Sequence, residues 1–201
     1  MAKPGERKLQ ILQTLAEMLE APTAEKITTA ALAARLEVSE AALYRHFASK
    51  AQMYEGLIEF IESTLFGFIN KLAGEGGRGL DQAQAILRLL LGFAEKNRGM
   101  TRMLTGEVLL HEKERLQQRM NQLLDRIEAS LKQAIRIAVT QGDVPPGSES
   151  AAASLMLAYA QGRWQQFVKS GFRRLPTEHW DTHWAMLARA VSTPGKPGLS
   201  P

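Results

Sequence analysis

The side chains best suited to molecular recognition lie between Ile27 and Lys50. Arg45 can donate to a guanine edge or to a phosphate, and the methyl group of Ala41 can contact a thymine methyl. Tyr44 and Lys50 carry donors that suit phosphate oxygens. Small and polar side chains of this kind are what a helix needs to enter the major groove of duplex DNA. The candidate DNA-contacting residues are Thr28, Ser39, Glu40, Ala41, Tyr44, Arg45 and Lys50.

Three of these residues have two open interpretations each. Thr28 and Ser39 stand at predicted helix starts, where a hydroxyl either reaches a phosphate or simply caps the helix. Glu40 either accepts from a cytosine amine or stabilises the first turn of its helix. The neighbouring His46 and Phe47 are interpreted as structural, packing the turn against the first helix.

The elements that must position these residues are two short helices joined by a tight turn. Leu32, Ala33 and Leu36 give the first helix one apolar face after the capping residues Thr28 and Thr29. Val38 and Ser39 start a second helix, whose apolar positions are Ala42, Leu43 and Phe47. This spacing predicts a helix-turn-helix.

Composition excludes several function classes. The 201 residues are 45% hydrophobic and contain no cysteine, which removes disulfides, thiolate nucleophiles and thiolate metal sites. The net charge of +4 permits polyanion binding, but residues 1–50 hold seven Lys or Arg against six Asp or Glu, so charge alone does not reveal a DNA-binding region. No continuous apolar stretch resembles a signal peptide or a membrane span. We expect a cytoplasmic protein without a cofactor.

Helical periodicity dominates the rest of the chain, so an all-α fold is predicted. Ser49 and Gln52 form a capping box for a long helix, and four glycines between Ala73 and Gly79 interrupt the pattern before Asp81 caps the next helix. The predicted helices span 5–20, about 50–72, a run from 81 that ends near 96–99, about 112–139, 150–169 and 177–191. The predicted domains are a helix-turn-helix domain over 1–49, a helical dimerisation and partner-binding domain over 50–192, and a disordered tail over 193–201.

The last two predicted helices are the candidate dimer surface. Small residues allow close helix approach, and large aromatic residues serve either an interface or the core. A single recognition helix reads only a few base pairs, so a two-fold dimer on paired half-sites is expected. The small residues are Ala151, Ala152, Ala153, Ala158, Ala160 and Gly162, and the large ones are Trp164, Phe167, Trp180 and Trp184.

The helix-turn-helix resembles the TetR family of bacterial DNA-binding dimers. The resemblance rests on the motif residues Ser39, Leu43, Tyr44, His46, Phe47, Ser49 and Lys50, followed by an all-helical body. It implies a TetR-like fold in which an N-terminal three-helix domain binds palindromic DNA and a C-terminal helical bundle forms a homodimer. The family usually has glycine where this turn has Glu37, so a left-handed conformation there costs about 1 kcal/mol.

Further blocks resemble one branch of that family, the members that act in nucleoid occlusion. The branch binds chromosomal palindromes and, once bound, engages the C-terminal tail of the cell-division GTPase FtsZ, which blocks septum assembly over the nucleoid. The blocks that carry this resemblance are 27–50, 57–62, 89–97, 99–106 and 119–128.

The resemblance places the FtsZ-binding residues on the fourth helix and at the end of the fifth, at Phe60, Leu89, Gly92, Lys96 and Asn97. From the residues themselves, an apolar groove with a cation and an amide at a helix C-terminus suits an acidic extended peptide, although Phe60 is also explained by core packing. The sequence departs from the branch at Phe68 and Arg98, where an arginine and a proline are usual.

Three other classes compete with this interpretation. A ligand-responsive transcriptional repressor would use the same scaffold with a small-molecule pocket in its body. The best evidence for an enzyme would be a zinc site at His179 and His183, four residues apart, but no third ligand is evident and the glycine loop lacks a P-loop ending. A purely structural coiled coil would leave the helix-turn-helix unexplained. The chain is therefore not predicted to be an enzyme.

Overall fold

The computed structural model describes residues 4–21, 27–110, 112 and 114–195, and the regular elements within these residues are all helical. The predicted all-α fold is therefore confirmed. In chain order the α-helices are α1 Pro4–Leu19, α2 Thr29–Arg35, α3 Glu40–Tyr44, α4 Lys50–Gly74, α5 Gly79–Lys96, α6 Arg98–Leu104, α7 Glu114–Thr140, α8 Glu149–Lys169 and α9 Trp180–Val191, with a 3₁₀ turn at Glu107–Leu109 between α6 and α7.

Tertiary contacts divide the chain into two compact units. The first, here called the N-terminal unit, comprises residues 1–63 and 96–121, and the second, the C-terminal unit, comprises 64–95 and 122–201. Helices α4 and α7 each contribute residues to both units. The N-terminal unit thus contains the helix-turn-helix together with α6. The predicted division into sequence domains at residue 49 stays a prediction.

In the N-terminal unit, α1 and α6 approach each other very closely. A Cβ atom at Gly99 of α6 would stand 1.9 Å from the carbonyl oxygen of Ala16, so glycine is required at this position. Arg102, also on α6, is buried and donates through Nη1 to the carbonyl oxygens of Leu19 and Ala21 at the end of α1. The Leu19 carbonyl is one that the end of a helix leaves without an intrahelical donor, and Ala21 lies just beyond that end. Helix α6 thereby caps α1.

The C-terminal unit is built around large buried side chains of α8 and α9. Trp164 is fully buried and donates its indole N–H to the Leu90 carbonyl oxygen over 3.3 Å. Trp180 and Trp184 are stacked with their ring centroids 6.0 Å apart. A Cβ at Gly79 would lie 2.3 Å from the Ala134 carbonyl, so α5 and α7 also make close backbone contact in this unit.

Several predicted boundaries need correction. Asp81 lies in the first turn of α5 and does not cap it, because the helix already begins at Gly79, whose N–H donates to Gln141 over 2.9 Å. The last helix begins at Trp180 and not at 177, because His179 adopts a positive φ of 61° that a helix cannot contain. Of the predicted tail over 193–201, residues 196–201 lie outside the described residues.

Candidate nucleic-acid interface

Two hydroxyl groups cap the helices of the helix-turn-helix. Thr28 has extended backbone angles, and its Oγ1 accepts from the N–H of Ala31 over 3.1 Å. Ser39 does the same for α3, accepting from the N–H of Ala42 over 3.3 Å. Each cap satisfies a backbone donor that the helix cannot pair internally. Both residues therefore cap their helices, and a phosphate contact by either one stays a prediction.

The turn between α2 and α3 is closed by a left-handed residue. Glu37 has φ 54°, the Glu37 N–H donates to the Ala34 carbonyl over 3.1 Å, and the Val38 N–H donates to the Ala33 carbonyl over 3.0 Å. This pair of bonds is the Schellman arrangement, which glycine normally ends. The left-handed conformation expected for Glu37 is present, so α2 ends here despite the Cβ penalty.

One face of α3 is buried and the other is open. Leu43 and Phe47 are 1% and 7% exposed and fix the helix to the N-terminal unit. Phe47 also limits the space beside α4, since a Cβ at Gly56 would be 3.0 Å from its ring. Ala41 and Arg45 are exposed, and Tyr44 keeps 45% of its surface exposed. An exposed aromatic hydroxyl beside a guanidinium and a methyl group is suited to contact with phosphates and base edges.

A hydrogen-bond network joins the starts of the two helices. The Thr29 hydroxyl donates to Glu40 Oε2 over 2.6 Å, and the Tyr44 hydroxyl is 3.4 Å from Thr29 Oγ1, the longer of the two contacts. Glu40 is thus held by the protein at the start of α3, which agrees with the structural alternative for this residue. Thr29, which the sequence suggested only as a cap, ties both recognition-helix side chains to α2.

Lys50, the last candidate DNA-contacting residue, is engaged within the protein. Its ammonium lies 2.6 Å from Glu112 Oε1 and 5.2 Å from the centroid of the Tyr54 ring. The Ser49 and Gln52 capping box forms as predicted, with the Gln52 N–H donating to Ser49 Oγ and the Ala48 N–H donating to Gln52 Oε1.

Among the described residues, three ion pairs join α4 to Glu112 and to the start of α7, and Lys50–Glu112 is the first of them. The second joins Glu55 to Arg115 at 2.6 Å, and the third joins the buried Glu62 to Arg119. Their order along both segments shows that the two run in the same direction here. Periodicity in the sequence gives no signal for such pairs, because every partner is about 60 residues away.

Comparisons with known families identify the fold. Residues 11–57 match the family described as bacterial regulatory proteins of the tetR family, and residues 78–192 match the SlmA-like family described as the tetracyclin repressor-like C-terminal domain. The chain belongs to the TetR family. It is 51% identical over 186 residues to the nucleoid occlusion factor SlmA of Idiomarina loihiensis, covering 92% of this chain and 95% of that protein.

Another relative and a solved structure agree with this assignment. The nucleoid occlusion factor SlmA of Alteromonas mediterranea is 50% identical over 184 residues, covering 91% of this chain and 94% of that protein. A TetR transcription regulator from Haloarcula marismortui superposes with a TM-score of 0.78 at 16% identity, covering 94% of this chain and 100% of that one. The likeness to that structure concerns the fold alone, whereas the two relatives place the chain among the SlmA proteins of the TetR family.

The residues predicted to bind FtsZ are distributed over both units. In the C-terminal unit, Leu89 and Gly92 are partly exposed on α5, and a Cβ at Gly92 would meet no atom within 4 Å. In the N-terminal unit, Phe60 is partly exposed on α4, Lys96 is exposed as the last residue of α5, and Asn97 precedes α6. Leu89, Gly92 and Lys96 follow one another at spacings of three and four along one helix, so they share a face of α5.

The candidate dimer surface resolves into core and exposed residues. Trp164, Phe167, Trp180 and Trp184 are buried within the chain, which decides for the core alternative. Four of the exposed positions of α8 recur at spacings of four, three and four and form a stripe of mainly small side chains, and Met186 on α9 is 64% exposed. The stripe consists of Ala151, Leu155, Ala158 and Gly162.

The two histidines considered as zinc ligands interact with protein groups. The rings of His179 and His183 have centroids 5.9 Å apart, and His183 Nδ1 lies 3.1 Å from the Tyr159 hydroxyl. Desolvation, the Arg163 guanidinium and His179 lower the pKa of His183. In the part of the chain that the structure describes, no group of three or more His, Cys, Asp or Glu could hold a metal ion. None of the described helices is long and apolar enough to span a membrane.

Proposed function

We propose that this protein is a nucleoid occlusion factor, a homodimer that binds palindromic chromosomal sites and, while bound, captures the C-terminal tail of FtsZ. The observation that carries the proposal is the helix-turn-helix, whose capped and buried framework leaves Ala41, Tyr44 and Arg45 exposed. About half identity to SlmA proteins over nine-tenths of the chain supports the same function.

The DNA-binding role follows from the chemistry of the exposed face of α3. Arg45 supplies a forked donor for guanine or phosphate, and Ala41 supplies a methyl group for thymine. Tyr44 donates to a phosphate from the rim of the same face. Thr28, Ser39 and Lys50 add donors at the adjoining helix starts, while Glu40 fixes the recognition helix through Thr29.

Dimerisation is supported by the exposed stripe of α8 and by Met186 of α9. Small side chains at spacings of three and four allow two helices to approach closely, and an exposed methionine adds apolar area that an interface would remove from water. A two-fold dimer presents two recognition helices to two half-sites, which multiplies the affinity of a single short helix.

The partner-binding role is assigned to Phe60, Leu89, Gly92, Lys96 and Asn97. Lys96 brings a positive charge to the C-terminal end of α5, and the absence of a side chain at Gly92 leaves room beside it for an extended peptide backbone. Phe68, where the resemblance leads one to expect an arginine, is 55% exposed on α4, so the charge of this surface differs from that of the branch. An acidic peptide with apolar side chains fits these groups.

The decisive experiment is fluorescence anisotropy with a labelled FtsZ tail peptide, measured with and without a palindromic duplex. We expect peptide binding by the DNA-bound protein, lost in Lys96→Glu and retained in the control Lys71→Glu, which reverses an exposed lysine of α4. DNA binding should be intact in both variants. If Lys96→Glu abolishes both activities in a folded protein, the two surfaces are not separate.

A ligand-responsive repressor gives a different result in the same assay. Such a protein would leave its duplex on adding a small effector and would bind no FtsZ tail peptide. A fluorescent fusion adds the location, because the proposal requires the label to follow the nucleoid and to leave it in an Arg45→Ala variant.

A further inference from the structure

We propose that Glu112 is a DNA-responsive latch: in the free protein its carboxylate holds the Lys50 ammonium, and a DNA phosphate that takes the ammonium releases the Glu112 side chain. This inference rests on the proposed DNA-binding function and on the assignment of Lys50 as a phosphate contact. It adds Glu112, which lies about 60 residues from the helix-turn-helix, to the groups that set DNA affinity.

The contact is short and partly shielded from water. The distance from Lys50 Nζ to Glu112 Oε1 is 2.6 Å, and the side chains of Lys50 and Glu112 are 28% and 19% exposed. The buried ring of Tyr54 packs against the same lysine, with its centroid 5.2 Å from Lys50 Nζ. Burial, with a contribution from the Glu112 charge, raises the pKa of Tyr54 to about 12. Reduced solvation strengthens an ion pair relative to a fully exposed one.

Helix polarity explains why Lys50 needs a counter-charge in the free protein. Lys50 is the first residue of α4, where the partial positive charge of the helix disfavours a cation. The Glu112 carboxylate offsets the charge of the Lys50 ammonium and the partial positive charge of the helix start. A phosphate brings the same negative charge to the same place, so carboxylate and phosphate compete for one ammonium, and they repel each other when both are present.

The other two ion pairs of α4 have no such competitor. Glu55–Arg115 and Glu62–Arg119 join the same two segments further from the recognition helix, and neither contains a candidate DNA contact. Exchange with phosphate therefore acts on the Lys50–Glu112 pair alone among these three, and it leaves α4 and α7 connected.

The described part of the segment before Glu112 is held at two points, because Leu109 is buried and Glu107 pairs with Arg102 over 3.1 Å. It begins at Gly106, which has φ 74°, passes through the 3₁₀ turn, and includes Leu110, which is 73% exposed. The Glu112 N–H donates to the Leu109 carbonyl over 3.0 Å. Because coupling is reciprocal, whatever frees the Glu112 side chain also favours DNA binding, and DNA binding favours its release.

The test measures DNA affinity against salt concentration for the full chain, using anisotropy with a palindromic duplex and with an unrelated duplex. Glu112→Gln removes the charge at nearly constant volume. We expect it to tighten binding to both duplexes by about three- to tenfold, and to steepen the salt dependence by about one ion. The matched control Glu55→Gln should change neither quantity.

A double-variant comparison shows whether Glu112 acts through Lys50. In a Lys50→Gln background, Glu112→Gln should have no further effect on affinity. Unchanged or weaker binding by Glu112→Gln, or an equal effect without Lys50, would overturn the latch. Failure of the wild-type protein to bind any duplex would instead overturn the proposed function.

Discussion

Replacing Gly99 with alanine should separate α6 from α1 and strongly destabilise the protein. The added Cβ would stand 1.9 Å from the Ala16 carbonyl oxygen and 3.1 Å from Leu19 Cβ. Because real Cβ atoms essentially never approach closer than 3.0 Å, the two helices must move apart by about 1.1 Å. The obstacle is backbone, so a rotamer change cannot relieve it.

The magnitude follows from two contributions. Overpacking of a tight contact costs about 1–3 kcal/mol. The same movement lengthens the bond from Arg102 Nη1 to the Leu19 carbonyl, now 3.2 Å, beyond hydrogen-bond range, and leaving buried polar groups unpaired costs about 1–3 kcal/mol. We expect the free energy of unfolding to fall by about 2–6 kcal/mol, the sum of the two contributions, which is a large part of the stability of a typical domain.

Urea unfolding followed by circular dichroism at fixed protein concentration measures this loss. The matched control is Gly67→Ala, at an exposed position inside α4 where a Cβ meets no atom within 4 Å. It should raise the free energy of unfolding by about 0.5–1 kcal/mol, because alanine favours a helix more than glycine does. A Gly99→Ala protein with the same urea midpoint as the wild type would refute the close packing of α6 on α1.

Three further predictions concern single side chains. Glu37→Gly should raise the free energy of unfolding by about 1 kcal/mol, because glycine adopts φ 54° without a Cβ penalty, and a lower urea midpoint would contradict the Schellman ending of α2. Trp180→Phe should lower the free energy of unfolding by less than about 1 kcal/mol, because the buried indole N–H of Trp180 finds no acceptor among the described residues. Trp164→Phe loses a buried hydrogen bond and should lower it by about 1–3 kcal/mol more. Equal urea midpoints of the two variants would be inconsistent with this difference. Because the pKa of His183 is lowered in the folded protein, the unfolded chain takes up this proton first as the pH decreases. The thermal midpoint should therefore fall as the pH decreases through about 6.5, and His183→Gln should flatten that dependence. Parallel pH profiles of the two proteins would show that another group is responsible.

The parts of the fold that sequence predicted are those in which neighbouring residues decide the structure. Thr28 and Ser39 cap their helices, and Ser49 with Gln52 forms the capping box, because each interaction spans only three or four residues. The left-handed conformation of Glu37 was expected from the family resemblance, because glycine is usual at this position of the turn. Apolar periodicity then located the long helices to within a few residues.

The parts that sequence could not predict depend on distant contacts. Helix α6 has seven residues, and its buried face includes Thr101 and Arg102, so it lacks the apolar periodicity that marks a helix. Arg102 looks like a solvated charge until the end of α1 is placed beside it. The roles of Thr29 and Glu112 likewise appear only when segments 11 and 62 residues apart come together.

These contacts change what DNA binding must involve for the candidate residues. Glu40 and Lys50 are already engaged within the protein, since each has a hydrogen bond of 2.6 Å to another side chain. In the proposed function, binding of a phosphate by Lys50 would exchange one anion for another, so its net gain in free energy would be smaller than that of a solvated lysine. Counting basic side chains near α3 overestimates the salt dependence of binding, because a paired lysine contributes fully only after its carboxylate has left. The measured slope of affinity against salt should accordingly rise when Glu112 is neutralised, which makes that slope a direct readout of how the protein holds its own DNA-binding groups before DNA arrives.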